Sequence, residues 1–172
     1  MALTYLALGD SYTIGESVEP CERWPVQLAQ RLNDGGFATQ SPEILAQTGW
    51  TTDELDHAMD LRAFDTKFDL ITLLIGVNNQ YRGRCVTEFS QQIDKLLERC
   101  LQLSKTGSPG IWVLSIPDWG CTPFAESRNR ELIRQEIDDF NTRKRERCQR
   151  VDVSWVEITD LTRQAAPASE LT

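Results

Sequence analysis

The amino-acid sequence predicts an α/β fold, a three-layer α/β/α sandwich around a parallel sheet of about five strands. Strand-like and helix-like patterns alternate along the chain in the order βαβαβαβαβ, which is typical of such folds. The runs YLALG, DLITLLIG and IWVLSI are almost continuously apolar, as expected for strands covered on both faces. With 172 residues and no repeat or linker, the chain is expected to form one domain over residues 1–172.

Five short apolar segments are predicted to be the strands, because each lies between two helix-like segments. They are Tyr5–Gly9, Glu43–Ala46, Phe68–Ile75, Ile111–Ile116 and Ser154–Ile158.

Four helices are predicted between these strands from apolar spacing and from helix start and stop signals. The first begins near Pro25 and ends at Gly35. The second follows Thr51, which has capping-box spacing to Glu54. The others span residues 87–103 and 126–149, approximately, and the basic run NTRKRERCQR in the last of them is interpreted as a solvated face.

Composition disfavours several classes of function. The formal net charge of −8 disfavours binding to nucleic acid or to an anionic membrane surface, since both require a basic patch. Five cysteines without a Cys-x-x-Cys pair predict free thiols and no metal centre. No apolar run approaches the roughly 20 residues of a membrane span, and no secretory leader begins the sequence. We therefore expect a cytoplasmic protein without a metal or cofactor, and the oligomeric state stays open.

The residues that follow the predicted strands carry the chemistry, since ligands of open parallel sheets bind at the carboxyl ends of the strands. Ser11 follows the first strand, Gly49 the second and Asn78 the third. A serine on a tight turn is a candidate nucleophile, and glycine N–H and asparagine amide groups are donors for a tetrahedral oxyanion. These residue types at successive strand ends indicate acyl transfer.

Three motifs resemble the blocks of the SGNH, or GDSL-type, hydrolases. GDSYT resembles the first block, TGWTT the second and GVNNQYRG the third, in the expected order. The resemblance implies a flavodoxin-like fold, Ser11 as nucleophile, and an oxyanion hole formed by the Ser11 N–H, the Gly49 N–H and the Asn78 amide. Asn79 departs from the family pattern, which has aspartate there.

The family's fourth block, Asp-x-x-His, has no match in this sequence. The single histidine, His57, lies about 9 Å from the start of the second helix and is expected to face away from the strand ends. Asp160 follows the fifth strand too closely, and Lys67 precedes a strand. We expect a parent chain that carries the block beyond Thr172; the alternative is that the base has been lost.

These observations predict a serine esterase for small or medium acyl esters, working through an acyl-enzyme. Four aromatic residues near the strand ends are candidates to line its pocket: Trp50, Tyr81, Trp119 and Phe124. The alternative is a catalytically silent protein of the same fold that binds a glycan or a partner. A phospho-receiver is disfavoured, because it needs an aspartate where Asn78 stands, and no phosphate-binding glycine motif is present.

Overall fold

The central sheet contains five parallel strands in the computed structural model, which describes residues 1–165. The strands are β1 (Tyr5–Gly9), β2 (Glu43–Ala46), β3 (Leu70–Leu74), β4 (Ile111–Leu114) and β5 (Ser154–Val156). Their order across the sheet is β2-β1-β3-β4-β5. This doubly wound order places a topological switch point between β1 and β3, where ligands bind in open α/β sheets. The predicted α/β fold is confirmed.

Seven α-helices connect or follow the strands within residues 1–165. They are α1 (Ser11–Ile14), α2 (Trp24–Asp34), α3 (Thr52–Arg62), α4 (Val77–Tyr81), α5 (Val86–Leu103), α6 (Arg130–Arg150) and α7 (Thr159–Ala165). No helix of this part of the chain is both long enough and apolar enough to cross a membrane.

The strand residues divide between two helical layers, because successive side chains of a strand point to opposite faces. Leu6 and Leu8 of β1 join the larger core, to which α3, α5 and α6 contribute. Tyr5 and Ala7 point the other way and pack against Ala29 of α2. The alternation along β1 thus explains why an unbroken apolar run forms a central strand.

The face of the sheet that Tyr5 and Ala7 share is covered less completely than the sequence predicts. Thr72 of β3 pairs with Trp112 of β4, and the Thr72 hydroxyl lies 2.9 Å from the Tyr5 hydroxyl, so the three residues share one face. Trp112 is 43% exposed on that face. The expectation that the IWVLSI run is covered on both sides is therefore wrong for Trp112 within the described residues.

Capping residues set the helix boundaries near the site. The predicted capping box is confirmed: the Thr51 N–H donates to Glu54 Oε2 at 2.8 Å, and α3 begins at the next residue. Helix α6 begins later than predicted, at Arg130, because the Asn129 side chain accepts from the Leu132 N–H at 3.1 Å.

The basic run of α6 is not a solvated face throughout. Lys144 has no solvent exposure and Cys148 is also buried. Both residues continue the stripe of buried residues that begins with Ile133, Ile137 and Phe140, at spacings of three or four. The solvated interpretation is therefore wrong for Lys144, whose position on the helix takes it into the protein.

Candidate active site

The three residues singled out from the sequence line one cavity at the carboxyl edge of the sheet. The cavity has a volume of about 1150 Å³ and is lined by Ser11, Gly49 and Asn78 among others. Ser11 opens α1 after β1, Gly49 lies between β2 and α3, and Asn78 lies in α4 after β3. Because β2, β1 and β3 are neighbours in the sheet, their carboxyl ends bring the three residues together.

A glycine at position 9 makes the corner before Ser11 possible. A Cβ atom on Gly9 would clash with the hydroxyl group of Thr13 and with the carbonyl oxygen of Leu74. The missing side chain lets β1 turn into α1 while its backbone stays close to β3. The tight turn therefore brings Ser11 to the carboxyl end of β1, at the edge of the sheet.

The backbone N–H of Ser11 is left available by the cap of α1. The Asp10 side chain accepts from the Tyr12 N–H at 3.1 Å. The Asp10 carbonyl oxygen accepts from the N–H groups of Thr13 and Ile14, at 3.0 and 2.9 Å. Among the described residues, the Ser11 N–H has no such acceptor. A free donor at a helix start is suited to a developing negative charge.

Asp10 is itself a buried carboxyl group, with 1% of its surface exposed. Burial raises the pKa of Asp10 to about 7, although the Tyr12 N–H and the positive charge of Lys144 oppose the rise. The carboxyl group below Ser11 therefore ionises near neutral pH instead of in the acidic range.

The Gly49 turn is held in place by a chain of polar contacts. Gly49 has a φ of +87°, a conformation that glycine adopts without strain. Arg82 Nη2 donates to the Gly49 carbonyl oxygen at 2.5 Å, and Arg82 Nη1 donates to Glu54 at 3.1 Å. Glu54 also accepts from the N–H of Thr51, the N-cap residue of α3, so the turn is fixed to the helix that follows it.

The side chain of Asn78 is oriented by the same loop. Asn78 Nδ2 donates to the carbonyl oxygen of Trp50 at 2.9 Å. An amide nitrogen carries two N–H donors, so this contact leaves the second one for a ligand. Asn78 thus presents an uncharged, fixed donor in the cavity that also contains Ser11.

Asn79, where the resemblance described above implies an aspartate, connects α4 to the start of α3. Its Oδ1 accepts from the Thr52 N–H at 3.1 Å, and its Nδ2 donates to the Thr52 hydroxyl at 2.7 Å. The Thr52 hydroxyl in turn donates to Gln92 Oε1. The loop that carries Asn78 is therefore held by an asparagine in a role that needs both an acceptor and a donor.

His57 does not share the cavity of Ser11. It is an exposed residue of α3 and lines a separate cavity of about 490 Å³. Thr48 and Gly49 line both cavities. The residues that line the Ser11 cavity include neither histidine nor lysine within the described part of the chain. The expected Asp-x-x-His block lies outside the described residues.

Three aromatic side chains form one wall of the Ser11 cavity. The ring centroid of Tyr81 lies 5.3 Å from that of Trp119 and 6.1 Å from that of Phe124. The Trp119 indole N–H donates to Gln80 Oε1 at 2.7 Å, and Phe124 is 70% exposed. Trp50, the fourth aromatic candidate, lines the His57 cavity instead.

A buried ion pair fixes the loop that carries Trp119. Arg163 of α7 donates to Asp118 at 2.8 Å, and the side chain of Asp118 is only 1% exposed. The Asp118 N–H donates to the Thr162 hydroxyl at 3.0 Å. Helix α7 therefore holds the loop after β4 by a charged contact and a neutral one.

Comparisons with known proteins identify the family and agree with the observed fold. A family model described as GDSL-like Lipase/Acylhydrolase matches residues 7–171. The chain belongs to the GDSL-like lipase/acylhydrolase family. Membership places it among the carboxylic ester hydrolases. No match was found among curated proteins.

Solved structures of this fold are similar over most of the chain at low sequence identity. AlinE4, an SGNH-hydrolase family esterase, is 20% identical with a TM-score of 0.75, covering 100% of this chain and 83% of its own. A lipase/acylhydrolase from Enterococcus faecalis is 18% identical with a TM-score of 0.72, covering 94% and 78%. A variant of the acetyl xylan esterase Axe2 from Geobacillus stearothermophilus is 15% identical with a TM-score of 0.71, covering 97% and 81%.

Sequence reasoning missed several residues that build the site of this family member. Asp10, Arg82 and Arg163 all act through contacts with residues distant in sequence or through burial. Only Asp10 had a local signal, since aspartate before a helix start is a common cap. The other two contacts depend on how helices meet across the edge of the sheet.

Proposed function

We propose that the chain is a serine esterase that acts on small or medium acyl esters through an acyl-enzyme. The observation that carries the proposal is that Ser11, Gly49 and Asn78 line a single cavity. A nucleophile and several fixed donors around one space are what acyl transfer requires.

In the first step, Ser11 Oγ attacks the carbonyl carbon of the ester while a general base takes the hydroxyl proton. The carbonyl oxygen becomes an oxyanion, which accepts hydrogen bonds from the Ser11 N–H, the Gly49 N–H and the free Nδ2 hydrogen of Asn78. Fixed donors stabilise this charge more than they stabilise the neutral ester, and the barrier falls.

In the second step, the oxyanion collapses and the alcohol leaves with the proton that the base returns. The acyl group stays on Ser11 Oγ until water, deprotonated by the same base, attacks the acyl carbon and releases the acid. The Asp-x-x-His segment expected beyond Thr172 is our proposed source of that base. Thr162 and Ala165 of α7 line the same cavity as Ser11.

The aromatic wall supports an apolar acyl or alcohol group as part of the substrate. Tyr81, Trp119 and Phe124 pack against one another and line the cavity that contains Ser11, and the Phe124 side chain is mostly exposed. The solved structures of similar fold include an esterase, a lipase/acylhydrolase and an acetyl xylan esterase. A small-molecule ester is the class common to these names.

A silent binding protein of the same fold is the second candidate. The observation that favours it is the lack of an imidazole among the described residues that line the Ser11 cavity. Such a protein would bind a glycan or a partner in the aromatic-walled cavity without turning over an ester.

The test is hydrolysis of a p-nitrophenyl ester series, from acetate to octanoate, by the full-length protein and its Ser11→Ala variant. We expect a burst of p-nitrophenol followed by steady turnover, and a loss of at least about 10³-fold in Ser11→Ala, since removal of a catalytic serine is that costly. A decline toward the longer esters would support the small-to-medium range.

Equal turnover by the two proteins would contradict Ser11 as the nucleophile, because surface groups also hydrolyse activated esters. Binding of an ester analogue without any Ser11-dependent turnover would support the silent alternative.

A further inference from the structure

The buried ammonium group of Lys144 joins two strand ends below the candidate active site. Lys144 Nζ donates to the carbonyl oxygen of Ile75 and to that of Leu114, both at 2.8 Å. Ile75 follows β3 directly and Leu114 ends β4. Both acceptors lie where the chain leaves the sheet for the loops that line the Ser11 cavity.

The two strands differ in how α6 holds them. Asn141, one turn before Lys144, accepts from the Ile116 N–H at 2.7 Å and donates to the Ile116 carbonyl oxygen at 3.1 Å. The end of β4 therefore has a second tie to α6. Lys144 extends the connection to Ile75, three residues before Asn78, and links the strand that leads to Asn78 with its neighbour.

Burial of a lysine at this position has a cost in free energy, because its charged group is removed from water. The side chain has no solvent exposure, and burial lowers the pKa of Lys144 to about 8. The titratable groups that face it are Asp10 from the end of β1, Cys148 from α6 and Glu157 after β5. A well-packed apolar side chain is often as stabilising as a buried charge, so stability alone does not call for a lysine here.

We propose that Lys144 is a positioning residue of the hydrolase site, which fixes the Asn78 amide relative to Ser11 by tying the end of β3 to the end of β4. The inference rests on the proposed function, since the oxyanion is what Asn78 is positioned to meet. Lys144 does not line the Ser11 cavity, and its effect on the reaction passes through the backbone from Ile75 to Asn78.

The test compares Lys144→Met with Arg147→Met in the full-length protein. Arg147 lies one turn further along α6 and pairs with Asp94 of α5 at 3.3 Å, so its variant loses one positive charge from the same helix. We expect Lys144→Met to lower kcat by about tenfold or more, because small displacements at a catalytic site have large effects on rate. KM should stay within about twofold, and Arg147→Met should leave kcat within the same margin.

Nuclear magnetic resonance of the side-chain amide of Asn78 provides a second measurement that does not depend on turnover. In Lys144→Met the signals of the Asn78 side-chain amide should shift or broaden. The signal of the Ile116 backbone N–H, which donates to Asn141, should keep its chemical shift. If Lys144→Met does not fold, Lys144→Gln keeps N–H donors on a shorter side chain and is measured in the same two ways.

The outcomes separate this inference from the proposed function. Wild-type protein without Ser11-dependent turnover would defeat the proposed function and leave the Asn78 signals to decide the role of Lys144. An active wild type together with a folded Lys144 variant of unchanged kcat and unchanged Asn78 signals would overturn the positioning role alone.

Discussion

Two cavities share the turn at Gly49 and differ in the groups that line them. The larger one, about 1150 Å³, holds Ser11 and Asn78, and the smaller one, about 490 Å³, holds His57. Thr48 and Gly49 line both. The chain's single histidine is thus eight residues from a candidate oxyanion donor but does not line the cavity of the candidate nucleophile.

The difference shows that the direction of a helical side chain matters more than its distance along the sequence. Leu55 and Met59 of α3 are buried in the core, four residues apart on the inner face of the helix. His57 lies midway between them and therefore projects outward. An imidazole at that position would need a different helix register to reach Ser11.

Alanine substitutions on the two sides of Gly49 give the largest expected contrast. Asn78→Ala should lower kcat about 10²–10³-fold with little change in KM, since it removes a donor that acts mainly in the transition state. His57→Ala should leave kcat within about twofold, as expected of an exposed residue outside the site. Steady-state kinetics on p-nitrophenyl acetate measures both.

A large loss of kcat in His57→Ala would contradict the prediction that His57 lies outside the site and would support His57 as the base. An unchanged kcat in Asn78→Ala would remove Asn78 from the oxyanion hole.

The ion pairs beside the two cavities should differ in their contribution to stability. Arg163→Met leaves the buried carboxylate of Asp118 without its partner and should lower the free energy of unfolding by about 3 kcal/mol. Arg84 pairs with Asp53 beside His57 at 3.7 Å, and both side chains are more than 30% exposed, so Arg84→Met should cost no more than about 0.5 kcal/mol. Urea unfolding measures both; equal losses would contradict the contrast.

The carboxyl groups of the two regions should also respond to pH in opposite directions. Because the pKa of folded Asp10 is raised from 3.8 to about 7, its contribution to stability is complete below pH 3.8 and is lost as the pH rises through 7. Burial acts to raise the pKa of Glu54, but hydrogen bonds from Thr51 and Arg82 outweigh it and lower the pKa. The contribution of Glu54 is therefore present above pH 4.5 and is lost as the pH falls through the lowered value.

Unfolding free energies of Asp10→Asn and Glu54→Gln, each measured against wild type from acidic to neutral pH, test these signs. The free energy of unfolding of Asp10→Asn should rise relative to that of wild type between about pH 4 and 7. The difference should change by no more than about 1.4 kcal/mol per pH unit, which is the limit for one proton. Glu54→Gln should be less stable than wild type at neutral pH, and this difference in unfolding free energy should disappear only at acidic pH. Parallel slopes would show that the two carboxyl groups are in similar environments.

Much of the fold was predictable because strands and caps are recorded locally in the sequence. The predicted bounds of β1 and β2 are those of the structure, and the Thr51 capping box marks the start of α3. The later strands end sooner than predicted, since Ile75 and Ile116 are apolar but already belong to the loops. Apolar character indicates burial, and burial continues past the last residue of a strand.

The residues that could not be predicted from the sequence are those whose roles depend on tertiary contacts. Lys144 stands in a basic run, so its charge suggested solvent, although its spacing from Ile137 and Phe140 placed it on the buried stripe. The pairing of Asp118 with Arg163 joins a loop to a helix 45 residues later and leaves no periodic signal. Position on a helix was the better guide to burial than residue type.

The contacts of Asn79 restrict which substitutions at position 79 can be accepted during evolution. An aspartate at that position would accept from the Thr52 hydroxyl, and the hydroxyl would then turn away from Gln92, whose Oε1 now accepts a hydrogen bond from it. Exchange at position 79 alone would leave the oxygen of Gln92 without that donor. Positions 79 and 92 are therefore expected to vary together among relatives, as a pair inherited jointly.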